Sequence, residues 1–264
     1  MNRVYKTFGA LGLILLCWPT VLSAQNSFSG TWKTDPAKHP FGIGAIATYT
    51  LSTDGREHFS NNRGREYDFA IDGKEYPTDR RGSTGLWTKT GQSTWTCVEK
   101  VQGKPLREIL LVLSPEGRTL NTTYTWFNPG NRTAQGETLF SRVSGGPGLE
   151  GSWRVVKRVE EPDIFYIAFP APGQLYVYID PMDYIWAGPM DGTFRPVQCP
   201  QLAPGTASAF KLTSPHRMDI QTKIDDKLAY LEKWEISEDG KTLTRTTWTP
   251  GREDITSVFI LEKE

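Results

Sequence analysis

An internal repeat narrows what this chain can fold into more than any other feature. Gly30-Thr31-Trp32 returns as Gly151-Ser152-Trp153, an offset of 121 residues. Asp72-Gly73 followed by Pro77 returns as Asp191-Gly192 followed by Pro196, at 119. The run Ser114 to Leu120 returns as Ser237 to Leu243, at 123, and Arg142 falls on Lys263 at 121. Landmarks in one order at a nearly constant offset mean two copies of one unit. The first copy is placed at 28–143 and the second at 149–264. Ser144-Gly145-Gly146-Pro147-Gly148 is read as the linker between them.

Within each copy, β-branched and aromatic runs are punctuated by turn residues roughly every 8 to 12 positions, the spacing of a sandwich or barrel. Asp54-Gly55, Asp72-Gly73, Glu116-Gly117, Pro129-Gly130 and Asp239-Gly240 are the turn signals. Convincing helical periodicity is absent. The expected fold is all-β: two tandem antiparallel up-and-down β-barrels of about 8–10 strands each, since closure removes sheet edges.

The N-terminus reads as an export signal. Arg3 and Lys6 precede an apolar run from Phe8 to Val21, and Val21-Leu22-Ser23-Ala24 ends in small residues. Residues 1–24 are therefore assigned as a signal peptide and the protein as secreted or periplasmic. The rest of the chain has no apolar run near the ~20 residues of a spanning helix, so no membrane span is expected in the mature chain. Lys plus Arg and Asp plus Glu both number 30. Balanced charge argues against nucleic acid as a partner, because such binding is driven by a cationic excess that releases counterions.

Two cysteines lie beyond the signal, Cys97 and Cys199, one per copy. An exported chain permits a disulfide between them, and two buried free thiols are the alternative. His39, His58 and His216 lack ligand spacing, so no metal site is assigned. Asp180, Asp183 and Asp191 are read as turn residues. No nucleophile elbow or phosphate loop is present, so no catalytic residue and no cofactor are assigned.

The run from Ser114 to Leu120 and its repeat define a hairpin in each copy. Turning at Glu116-Gly117 pairs Leu113 with Leu120, Ile109 with Tyr124 and Arg107 with Trp126. Turning at Asp239-Gly240 pairs Ile236 with Leu243 and Trp234 with Arg245, with Tyr230 and Glu232 on the same face. If this face is the barrel interior, Arg107 and Arg245 point inward beside a Trp. Two readings follow: an anchor for the head of a ligand, or a packed Arg–Trp pair with Glu232 as counter-ion. The candidate ligand-binding residues are Arg107, Tyr124, Trp126, Tyr230, Glu232, Trp234 and Arg245.

A Gly-x-Trp opening the first strand and a cation on the last strand resemble the calycin superfamily of lipocalins, fatty-acid-binding proteins and avidin-like barrels, and exported bacterial lipocalin-like proteins. The resemblance implies that each Trp plugs one end of a barrel under a basic side chain, Trp32 with Arg142 and Trp153 with Lys263. The chain departs from these families in lacking a second lipocalin motif, a helix before the last strand, and a helical lid between the first two strands. The resulting expectation is an exported protein that holds a small apolar or amphipathic ligand in a barrel. The alternatives are filled barrels that bind a protein partner, with the doubly apolar run Ile109 to Leu113 read as either the barrel–barrel contact or a partner surface, and a calycin-type enzyme.

Overall fold

The structure, a computed structural model, describes residues 27–38, 43–52, 54–62, 64–78 and 82–264. The assigned signal peptide and His39 lie outside the described residues. Among the described residues, twenty strands carry the fold. The first ten are β1 (Gly30–Thr34), β2 (Ile46–Leu51), β3 (Glu57–Asn61), β4 (Glu66–Phe69), β5 (Glu75–Pro77), β6 (Ser83–Gly91), β7 (Thr94–Val101), β8 (Lys104–Leu113), β9 (Thr119–Asn128) and β10 (Arg132–Ser144). The second ten are β11 (Gly151–Glu160), β12 (Ile164–Ala168), β13 (Gln174–Asp180), β14 (Tyr184–Pro189), β15 (Arg195–Pro196), β16 (Thr206–Ser214), β17 (Arg217–Ile224), β18 (Lys227–Ile236), β19 (Thr242–Thr249) and β20 (Arg252–Lys263).

The strands form two nearly closed antiparallel barrels of ten strands each, as the spacing of turn signals led us to expect. The first barrel runs β4-β3-β2-β11-β10-β9-β8-β7-β6-β5. The second runs β14-β13-β12-β1-β20-β19-β18-β17-β16-β15. Each order is the other shifted by ten strands, so the repeat is a structural one. In the second barrel Ile185 and Gln198 exchange two backbone bonds, 2.7 and 3.0 Å, across the seam between β14 and β15.

The barrels do not follow the boundaries of the sequence copies. β1, at the head of the first copy, lies between β12 and β20 of the second barrel. β11, at the head of the second copy, lies between β10 and β2 of the first. The first barrel is thus one continuous stretch, and the second is closed by β1, the first strand among the described residues. The Gly-rich segment 144–148 is the turn of a hairpin inside the first barrel, rather than a linker between barrels.

The exchange also corrects the pairing of plugs and cations. Arg142 caps Trp153, with its guanidinium carbon 4.0 Å from the ring centre, and Lys263 lies 5.1 Å from the ring centre of Trp32. Both indoles are fully buried. Trp153 Nε1 donates to Leu149 O at 2.9 Å and Trp32 Nε1 to Phe28 O at 2.8 Å. Arg142 also donates to four carbonyls, those of Gly117, Gly146, Gly148 and Glu150, at 2.6 to 2.8 Å. A donor fork with five N–H groups suits such a cluster. Lys263 has a point charge and, among the described residues, donates to Ser27 O at 3.5 Å.

The hairpin register is the expected one. Leu113 pairs with Leu120, Ile109 with Tyr124 and Arg107 with Trp126. Ile236 pairs with Leu243 and Trp234 with Arg245. The turns are stapled alike: Ser114 and Ser237 accept the amides of Gly117 and Gly240, whose φ of 68° and 70° needs a residue without a side chain.

Cys97 and Cys199 form no disulfide with each other, and Cys97 is buried while Cys199 is half-buried. Cys97 faces the first barrel's interior next to Gly85, while Cys199 contacts Met182 O in the second barrel at 3.6 Å. Leu110 and Val112 point away from the interior and are exposed. No helix among the described residues is long and apolar enough to cross a membrane.

Candidate functional site

The two interiors differ. In the second barrel Trp186, Phe210, Trp234 and Phe165 pack ring against ring, with centroid distances of 4.1 to 5.9 Å. Arg245 is embedded there, its Nε donating to Glu232 Oε2 at 2.7 Å, and Trp234 Nε1 reaches the same oxygen at 3.1 Å. Burial opposes the Glu232 charge, yet Arg245 and the hydrogen bonds hold its carboxyl below the usual range. Three predicted ligand residues, Glu232, Trp234 and Arg245, therefore form a satisfied core cluster.

An open cavity of about 640 Å³ lies in the first barrel. Arg107, Tyr124 and Trp126 line it, together with Tyr49, Phe59, Tyr67, Trp87 and Phe140. The ladders across β6, β7, β8 and β9 explain how these residues meet. One row runs Trp87, Cys97, Ile109, Tyr124, and the next runs Glu99, Arg107, Trp126. Period two places each row's side chains on the inner face. From the other side come Tyr49 of β2, Phe59 of β3 and Tyr67 of β4, whose rings contact in sequence at 5.2 and 5.0 Å.

Arg107 is 8% exposed and makes a two-point pair with Glu99: Nε to Oε2 at 2.8 Å and Nη2 to Oε1 at 2.7 Å. Its guanidinium carbon lies 4.8 Å from the Trp126 ring centre and 5.7 Å from that of Tyr124. Burial disfavours the charge, but Glu99 outweighs it and keeps the guanidinium protonated. A side-on pair of this kind leaves Nη1 outside it. Arg65 and the paired Arg158 and Glu160 also line the cavity. The charged side chains of the lining are thus Arg65, Arg107, Arg158 and Glu160, with Glu99 behind Arg107.

The cavity reaches the junction of the barrels. Tyr230, Thr247, Trp248, Thr249 and Ser257 of the second barrel line the same cavity. Tyr230, 45% exposed, is the one predicted second-copy residue that reaches it. Polar contacts hold the junction. Arg132 bonds Asp180, Asp183 and Pro181 O, the last two at 2.6 and 3.1 Å. Gln201 Nε2 donates to Asn128 Oδ1 at 2.7 Å. Asp180 and Asp183 are thus ligands of an arginine. Among the described residues no group of three or more His, Cys, Asp or Glu could hold a metal ion.

The sequence reading missed Tyr49, Tyr67, Arg65 and Glu99. A signal existed for Glu99: Trp95, Cys97, Glu99 and Val101 alternate as one buried face, and a carboxylate in such a series needs a cationic neighbour. Burial pushes the Tyr49 and Tyr67 phenols well above their ordinary range, so both remain neutral hydroxyls. Comparison of the chain with protein-family models, curated proteins and solved structures finds no match.

Proposed function

We propose that the first barrel holds a small amphipathic ligand, with an anionic group toward Arg107 and Arg65 and its body among the rings of Tyr49, Phe59, Trp87 and Phe140. The carrying observation is the cavity itself, whose volume falls in the range of small-molecule sites. The guanidinium groups in the lining, Arg107 among them, favour an anion. The indole plugs beneath Arg142 and Lys263 support a calycin-like reading of both barrels. The basic and apolar start of the chain supports work outside the cytoplasm. The packed second barrel favours a different part, as scaffold and rim of the shared cavity.

Titration with anilinonaphthalenesulfonate, an anionic amphiphile whose emission rises in apolar surroundings, tests this. Saturable binding of one probe per chain is expected, weakened about fivefold in Arg65→Leu by loss of one nearby positive charge. Emission that never saturates, or a variant that binds as well as wild type, would overturn the proposal.

A further inference from the structure

The cavity also constrains the body of its ligand, an argument that rests on the ligand-binding reading above. Tyr49, Tyr67 and Tyr124 line it together. Tyr49 is 7% exposed, and its phenol lies within electrostatic reach of Tyr124, Arg65 and Arg107. None of the three hydroxyls makes a hydrogen bond with the described residues, whereas Tyr76 and Tyr178 on the outer surface each donate to an aspartate. The inner phenols are therefore polar groups held in an aromatic chamber without a hydrogen-bond partner among the described residues.

Water can satisfy such groups while the cavity is empty of ligand. A hydrocarbon chain that displaced the water would leave three hydroxyls buried and unpaired, an unfavourable outcome at each position. The walls add a second preference. Phe69 stacks on Trp87 at 4.2 Å and 20°, and Tyr49 meets Trp87 edge-on at 6.4 Å. Rings arranged in this way favour another ring through edge and face contacts that an alkyl chain cannot make. Arg107 already holds Trp126 in a cation–π contact, and its Nη1 lies outside the pair with Glu99.

We infer that the ligand class is an oxygenated aromatic acid: a carboxylate toward the arginines, a flat ring system against Tyr49, Phe59 and Trp87, and hydroxyl or carbonyl substituents meeting the tyrosine phenols. An acyl chain of similar size fits the volume but not the polar inner surface.

Calorimetric titration of the chain with three probes decides the matter: dihydroxynaphthoate, naphthoate and decanoate. Dihydroxynaphthoate is expected to bind about tenfold more tightly than either of the others, the size of effect one or two added hydrogen bonds produce. In Tyr49→Phe and in Tyr124→Phe the preference for dihydroxynaphthoate over naphthoate should shrink several-fold. Decanoate binding as tightly as dihydroxynaphthoate would overturn this inference and leave the ligand-binding proposal standing. So would a preference unchanged in both variants. Failure of all three probes to bind would overturn both.

Discussion

The guanidinium of Arg142 lies 4.0 Å above the ring of Trp153, and the same side chain donates to four carbonyls of neighbouring turns. One residue thereby joins the barrel plug, the β8–β9 turn and the β10–β11 turn. Replacing it with Leu removes the cation–π contact and orphans several acceptors. The expected loss is about 2–3 kcal/mol of unfolding free energy, measured by urea denaturation. Lys263→Leu at the equivalent place should cost clearly less. Equal losses would refute the assigned difference between the plugs.

Arg107 and Glu99 form a buried pair, and removing one partner strands the other. Glu99→Leu is expected to destabilise the protein by about 3–5 kcal/mol, whereas the double change with Arg107→Met should recover most of it. A double-mutant cycle measures the coupling. Additive losses would mean that the two side chains do not depend on each other.

Burial pushes the Asp163 carboxyl up to about 6, against the opposing pull of Arg245. A carboxyl that holds its proton more tightly when folded adds stability below that pH, and the gain is lost as pH rises through about 6. The difference in stability between wild type and Asp163→Asn should therefore shift against wild type between pH 4 and pH 6, by up to about 2 kcal/mol. Parallel pH profiles for the two proteins would contradict this.

Because β11 completes the first barrel, residues 43–161 contain every strand of it, whereas 28–148 lack one and carry an unpaired β1. The fragment 43–161 is expected to unfold cooperatively, by circular dichroism in urea, and to bind the anionic probe. The fragment 28–148 is expected to associate or aggregate through its open edge. If 28–148 proved the stable monomer, the strand exchange would be wrong.

Much of this was legible in the residues. The repeat, the all-β class and the hairpin register follow from period-two patterning and from a Gly at each turn, which are local properties. The exchange of β1 and β11 was not read, because both carry the same Gly-x-Trp and either would fit either barrel. What decides it is connection length. Only Gly145 to Glu150 separate β10 from β11, and so short a link favours antiparallel neighbours. The span between β1 and β2 is long enough to cross. Trp234 and Arg245 lay on an inner face as expected, but period two cannot say whether an interior is packed or hollow. The volumes of all the strands together decide that.

The position of β1 also sets an order of events during synthesis. Chains emerge N-terminal end first, and the first barrel has all its strands once Glu160 is made. The strand Gly30–Thr34, made before any of them, pairs with Lys263 and its neighbours at the far end of the chain. The earliest strand among the described residues thus gains β12 along one edge soon after the first barrel is complete, while its other edge stays open until β20, the last strand, is made.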